Sequence, residues 1–201
     1  MVLKVDHISY SCSTKKEAEE SLPEGYEEEF IETDIPNIQC KKELLHYDNP
    51  VHTLRMMKRQ KGGVPIEITE YRQVGQEETG MNLEGDILWI DTPDIGSTAA
   101  FFRTLGFAGQ EELVISPILD RESFRICLRS VPYRREACLD SMGYTSLALF
   151  VDDLHREVRR LEEEKIRTTG ISPLTVQDRD LEISFVIGSC NEIVELISLR
   201  K

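Results

Sequence analysis

No stretch of this chain approaches the roughly 18 consecutive apolar residues that a membrane helix needs. Its start, Met1-Val2-Leu3-Lys4-Val5-Asp6, has no long apolar segment behind a basic one, so nothing is expected to export or anchor it, and a cytoplasmic protein is anticipated. Basic charge is scarce too: 24 Lys and Arg stand against 37 Asp and Glu, for a formal net charge of −13 and a pI near 4.8. Such a surface repels phosphate backbones and anionic lipids, so neither nucleic acid nor membrane is an expected partner. The five cysteines, Cys12, Cys40, Cys127, Cys138 and Cys190, are odd in number and form no C-x-x-C pair. Neither a disulfide framework nor a thiolate zinc site is suggested, and reduced, buried thiols are the default. Patterns of the G-x-S-x-G, G-x-x-x-x-G-K and G-x-G-x-x-G types are missing, which leaves serine hydrolase, P-loop and dinucleotide-binding readings without support.

What is present is a repeat. Three times a short apolar strand runs straight into a helix and is followed by further strand-like segments. The openings are Val5-Asp6-His7-Ile8-Ser9-Tyr10-Ser11-Cys12, Asp86-Ile87-Leu88-Trp89-Ile90-Asp91-Thr92 and Thr145-Ser146-Leu147-Ala148-Leu149-Phe150-Val151. Each unit is too small to bury its own apolar face and must pair with another. With 201 residues, 40% of them apolar, the chain can build a sizeable core from such units.

In the first unit Thr14 and Glu17 form a capping-box pattern that opens a helix to about residue 22, where Pro23-Glu24-Gly25 breaks it. Leu44-Leu45-His46-Tyr47, His52-Thr53-Leu54-Arg55-Met56-Met57 and the alternating Val64-Pro65-Ile66-Glu67-Ile68-Thr69-Glu70-Tyr71 read as strands. The polar, glycine-spaced Gln73-Val74-Gly75-Gln76-Glu77-Glu78-Thr79-Gly80 reads as a linker. The expected partition is therefore a single module over 1–72, a linker over 73–84 and a two-module domain over 85–201. The second unit has Asp94 ahead of a helix with Ile95, Ala99 and Phe102, then strands at about 113–118 and 123–131. In the third, Asp152-Asp153 cap a helix whose Leu154, Val158 and Leu161 recur at i, i+4 and i+7. Closing strands follow at about 181–187 and 192–199. His46, His52 and His155 are expected on the surface, and the loops 37–42 and 131–142 carry no readable chemistry.

Several of these stretches resemble the vicinal oxygen chelate superfamily of glyoxalases, bleomycin-resistance proteins and extradiol dioxygenases. Asp6-His7-Ile8-Ser9 is similar to its first strand, and Phe101-Phe102-Arg103-Thr104-Leu105-Gly106-Phe107 to its helix-ending signature. Val151-Asp152-Asp153-Leu154 is similar to the strand-to-helix turn of its second module, and Asn191-Glu192-Ile193-Val194-Glu195-Leu196-Ile197 to its final strand. The resemblance implies an α+β fold of tandem β-α-β-β-β modules forming curled mixed sheets with helices on the convex side. It also implies that ligands project into each half-open barrel from first and last strands. Carried over residue by residue, it assigns these positions to His7 and Glu67 in the first module and to Ser146 and Glu195 in the third. In the second module the first-strand position falls on Ile87, and no last-strand glutamate follows.

Strand alternation agrees in part, since His7, Ser9 and Ser11 share one face and Pro65, Glu67 and Thr69 share another. Imidazole and carboxylate on one concave wall suit Zn²⁺, Fe²⁺, Mn²⁺ or Ni²⁺. One His and one Glu are half a site, and a homodimer pairing two first modules is the expected way to complete it. The second and third modules are expected to face each other across an apolar cleft lined by Ile87, Trp89, Ser146 and Phe150, with Glu195 there as a candidate general base and Glu67 as the other candidate catalytic carboxylate, in the first module. Three readings stay open: a divalent-metal-dependent lyase, isomerase or dioxygenase acting on a small oxygenated molecule; a metal-free protein that sequesters a small molecule; and a structural dimer.

Overall fold

The computed structural model describes residues 1–60, 62–76, 79–120 and 123–200. The first module comprises β1 (Val2–Cys12), α1 (Lys15–Glu19), β2 (Tyr26–Pro36), α2 (Gln39–Lys42), β3 (Val51–Arg59) and β4 (Ile66–Glu70). The second comprises β5 (Met81–Glu84), β6 (Ile87–Thr92), α3 (Ile95–Thr104), β7 (Ala108–Gly109), β8 (Glu112–Ile115) and β9 (Phe124–Ser130). The third comprises β10 (Gly143–Val151), α4 (Leu154–Glu163), β11 (Arg167–Thr168), β12 (Ser172–Val176), β13 (Arg179–Ile187) and β14 (Ile193–Leu199). Capping chemistry starts the helices where the sequence places it. Thr14 and Glu17 make a reciprocal capping box, and Asp94 and Asp153 each accept a backbone N–H three residues on.

Two sheets result. A nine-stranded mixed sheet runs β11-β13-β14-β10-β1-β4-β3-β2, with β12 paired to β13, and a five-stranded mixed sheet runs β5-β6-β9-β8-β7. The first and third modules thus form one continuous sheet through antiparallel pairing of β1 with β10. The pairing differs from the one expected: the first module pairs with the third, inside the same chain, and the second module is the odd one. The physical reason lies in the expected linker. Its end forms β5, which pairs antiparallel with β6 and occupies the edge through which a module's first strand would otherwise meet another module. Of the rest of that linker, Glu77 and Glu78 lie outside the described residues.

Alternation along the strands separates two layers. Ile8, Tyr10, Leu147, Leu149, Val194 and Leu196 turn to the convex side. There they merge with Ala18 of α1, Leu154, Val158 and Leu161 of α4, and Leu88, Ile90 and Phe102 of the second module into one core. The opposite, concave side holds Ala148, Phe185, Ile193 and Ile197, closed over by Cys40 and Leu44 near α2 and by Leu139. The expected strand at 44–47 does not exist: Leu44 is needed as a plug, and the strand role passes to β2, a charged edge strand whose side chains are mostly exposed. Its polar composition, with Glu27, Glu28, Glu29 and Glu32, hides it from a hydrophobic-pattern reading and suits an edge that must not aggregate.

The plug is tied down by Asp140, which is fully buried. Its carboxylate accepts from the backbone N–H groups of His46 and Tyr47, each at 2.9 Å, and from the Asn49 side-chain amide at 3.0 Å. Asp140→Ala leaves these buried donors unpaired, and the expected loss is on the order of 3 kcal/mol or more. Urea unfolding monitored by circular dichroism checks it; a loss below about 1 kcal/mol contradicts the anchoring role.

Candidate functional site

Pairing of β1 with β10 creates a pseudo-two-fold axis readable in the register. His7 lies opposite Ala148 and Ser9 opposite Ser146, so the axis exchanges His7 with Ser146 and Ser9 with Ala148. The parallel neighbours obey the same symmetry, with Ser9 beside Glu67 and Ala148 beside Glu195. His7, Glu67, Ser146 and Glu195 therefore occupy equivalent positions of two modules and face one hollow. The four-residue set that a homodimer was expected to assemble from two copies of His7 and Glu67 is assembled within one chain, with Ser146 and Glu195 as the second half.

The geometry is close. His7 Nε2 lies 3.4 Å from a Glu67 oxygen and 3.5 Å from a Glu195 oxygen, and the three residues are 3%, 7% and 8% exposed. His7 Nδ1 is 3.0 Å from the Asp6 carboxylate, which orients the ring and aims Nε2 into the hollow. Asp6 is itself paired with Lys4. The second Glu67 oxygen accepts from the Thr69 hydroxyl at 3.0 Å. Burial pulls the imidazole toward its neutral form, yet the Glu67 charge, the Asp6 hydrogen bond and Glu195 outweigh it and hold His7 well above its ordinary value. Burial likewise opposes ionisation of Asp6, but the bond and charge of His7, followed by Lys4, keep its carboxyl well below the usual range.

Whether this wall suits a metal is decided by its unsatisfied atoms. His7 Nε2 and Ser146 Oγ are buried without hydrogen-bond partners. Ligands about 2.1 Å from a zinc-like ion at tetrahedral angles lie about 3.4 Å apart, which matches the separations of Nε2 from both carboxylates. An imidazole oriented by a carboxylate is also the usual outer support of a metal-bound histidine. Among the described residues no group of three or more His, Cys, Asp or Glu side chains is already arranged to hold an ion. The donors fit an ion that keeps further positions for other oxygens.

A small hollow adjoins these groups, lined also by Ser11, Lys41, Thr69, Tyr71, Leu139, Thr145 and Phe185. Five of these, Lys41, Tyr71, Leu139, Thr145 and Phe185, escaped the sequence reading. Tyr71 could have been found, since it continues the 67, 69 alternation past the end of β4; its buried hydroxyl is unpartnered, and burial, then Glu67, Asp140 and Glu195, holds it well above the ordinary phenol value. Lys41 and Leu139 sit in the loops that carried no readable signal. Phe150 is on the concave face, opposite Ile197 of β14. Ile87 and Trp89 are elsewhere: they share a half-buried face of the five-stranded sheet, next to Arg125, Cys127 and Arg129 of β9. The cleft expected between the second and third modules does not form, because those modules do not face each other.

His52 is also a correction, being 4% exposed rather than on the surface. It stands behind the mouth of the hollow, 3.3 Å from Lys41 Nζ and with its ring 5.8 Å from that of Tyr71. Burial, with the Lys41 charge adding to it, pushes the imidazole down to about 2. His46 and His155 are solvent-facing as expected, each beside a glutamate.

Paired β-α-β-β-β modules with His and Glu on the concave wall make up an α+β architecture of two curled mixed sheets. No protein-family profile matches the chain, and no curated protein matches its sequence. Among solved structures it is similar to methylmalonyl-CoA epimerase from Mycobacterium tuberculosis, at 11% identity and TM-score 0.45, over 100% of this chain and 91% of that one. Glyoxalase I from Zea mays, as the V278E mutant, matches at 10% identity and TM-score 0.40, over 96% of this chain and 67% of that one. A candidate dioxygenase from Bacillus subtilis matches at 13% identity and TM-score 0.41, over all of this chain, which spans 63% of that protein's length. No helix among the described residues is long and apolar enough to cross a membrane.

Neutral in the fold but protonated in the unfolded chain, His52 draws protons to the unfolded state as pH falls below about 6.5. Stability is therefore lost on acidification from about pH 6.5 toward 2, by about 2 kcal/mol between pH 6.5 and 5 from this residue. His52→Gln is expected to flatten that part of the profile, as read by urea unfolding at both pH values. An unchanged acid slope contradicts the buried neutral imidazole.

Proposed function

We propose that this chain is a glyoxalase-like enzyme whose hollow holds a divalent ion through His7, Glu67 and Glu195, with Ser146 at the fourth equivalent position. Its reaction is a lyase, isomerase or dioxygenase step on a small oxygenated organic molecule. The observation that carries the reading is a buried, unpartnered imidazole nitrogen facing two carboxylates. Imidazole and carboxylate donors suit Zn²⁺, Fe²⁺, Mn²⁺ or Ni²⁺. A bound ion supplies polarisation of paired substrate oxygens. The protein's own groups do the rest. Asp6 fixes the His7 ring, Thr69 orients Glu67, and either glutamate, when not engaged with the ion, is placed to take a proton and return it. Leu139, Phe185 and Tyr71 exclude bulk water from the hollow.

A metal-free reading is favoured by one observation, the approach of His7 Nε2 to Glu67 at 3.4 Å and Glu195 at 3.5 Å, which in the protonated ring offsets part of their charge without an ion. In that case the hollow binds a small organic ligand without an ion.

Elemental analysis of the purified protein, and of protein reloaded with Zn²⁺, Mn²⁺, Fe²⁺ or Ni²⁺, separates the two. The metal reading expects one ion per chain. His7→Ala and Glu195→Gln should abolish stoichiometric binding, and Asp6→Asn should weaken it about 10- to 100-fold. Absence of binding after reloading, or binding indifferent to His7→Ala, overturns it.

A further inference from the structure

A second, small pocket lies beside the 131–142 segment, lined by His46, Thr79, Arg135, Ser141, Thr145 and Asn191 among others. Its unusual member is Arg135. The residue is only 8% exposed, yet it has no carboxylate within ion-pairing distance among the described residues. Nη1 donates to the Thr79 carbonyl at 3.0 Å, whereas Nε and Nη2 are buried with no hydrogen-bond partner. Those two nitrogens form one edge of the guanidinium fork, the edge that takes a carboxylate or phosphate in a bidentate grip.

Nearby acids are committed elsewhere. Glu192 bonds the Thr98 hydroxyl and the Cys190 amide, and Asp91 is held by Arg129 at 2.6 and 3.0 Å. Glu136, which also lines the cavity, is turned onto His46 at 3.1 Å and is 74% exposed. Burial accordingly drags the guanidinium below its ordinary value, with Glu192 and Asp91 offsetting this only through space. An unpaired buried guanidinium is expensive to keep unless something fills the fork. The main chain meanwhile holds Arg135 in place, since the Asn191 amide donates to its carbonyl at 2.6 Å.

We propose that this cavity is an oxyanion-binding site in which the Nε and Nη2 edge of Arg135 grips a small carboxylate or phosphate. The inference goes beyond the reading of the His7 hollow and does not depend on a metal. Thr145 lines both cavities, so the site lies directly beside the hollow.

The test uses the unmodified full chain with ¹⁵N-labelled arginine. The Arg135 Nε–H resonance, assigned through its own side-chain carbons, is followed while acetate, malonate and inorganic phosphate are added separately at constant ionic strength. The expected result is a saturable shift with at least one of them. Response to acetate or malonate identifies a carboxylate site, and response to phosphate alone identifies a phosphate site. Arg135→Lys, which keeps a charge but loses the fork, should weaken that binding about tenfold or more. No saturable shift with any of the three anions overturns the proposal. Unweakened binding in a folded Arg135→Lys protein does the same. Because metal content is not read in this experiment, its failure and that of the metal reading are independent.

Discussion

Antiparallel pairing of β1 with β10 is the contact on which the rest of this molecule depends. It joins two modules far apart in sequence into one curled sheet, and it sets which side chains can meet. Register is strict in such a pair, because a slip of one residue would send His7 and Ser146 to the apolar convex side and drive Ile8 and Leu147 into the hollow. Burial of Ile8, Leu147 and Leu149 on the helix-covered face thus enforces the polar wall opposite. The arrangement of His7, Glu67 and Glu195 is a by-product of hydrophobic packing on the other side of the same strands.

The second module shows what happens to a repeat that gives up its pairing edge. β5 closes the side of β6 that would accept another module, and the five-stranded sheet then docks its apolar face into the shared core. Its other face keeps Trp89 half-buried among charged residues, with Arg129 and Asp91 in a bidentate pair. The module serves as cover for the convex side of the large sheet.

Two connecting segments, the first carrying the single turn of α2, close over the concave side. Residues 37–45 and 131–142 fold into the concavity, held by Asp140 and by the Leu139 amide donating to the Leu44 carbonyl at 2.8 Å. They narrow the hollow beside His7 and make the wall of the cavity at Arg135. The loops cover the concavity while the sheet fixes the positions of His7, Glu67 and Glu195.

The sequence by itself determined the local grammar: the capping box at Thr14 and Glu17, the helix starts at Asp94 and Asp153, the apolar spacing of Leu154, Val158 and Leu161, the three-fold recurrence of strand and helix, and the sharing of a strand face by His7, Ser9 and Ser11. Each depends on neighbours within a few residues, so each is written in the chain. Which module pairs with which was not legible, because β5 looks polar and short and nothing local shows that it blocks an edge. Nor was the convergence of His7 with Glu195, the burial of His52, or the unpaired fork of Arg135. These are decided by contacts between residues separated by tens of positions or more, where the gain from burying one large core selects a single arrangement among several that the local pattern allows equally.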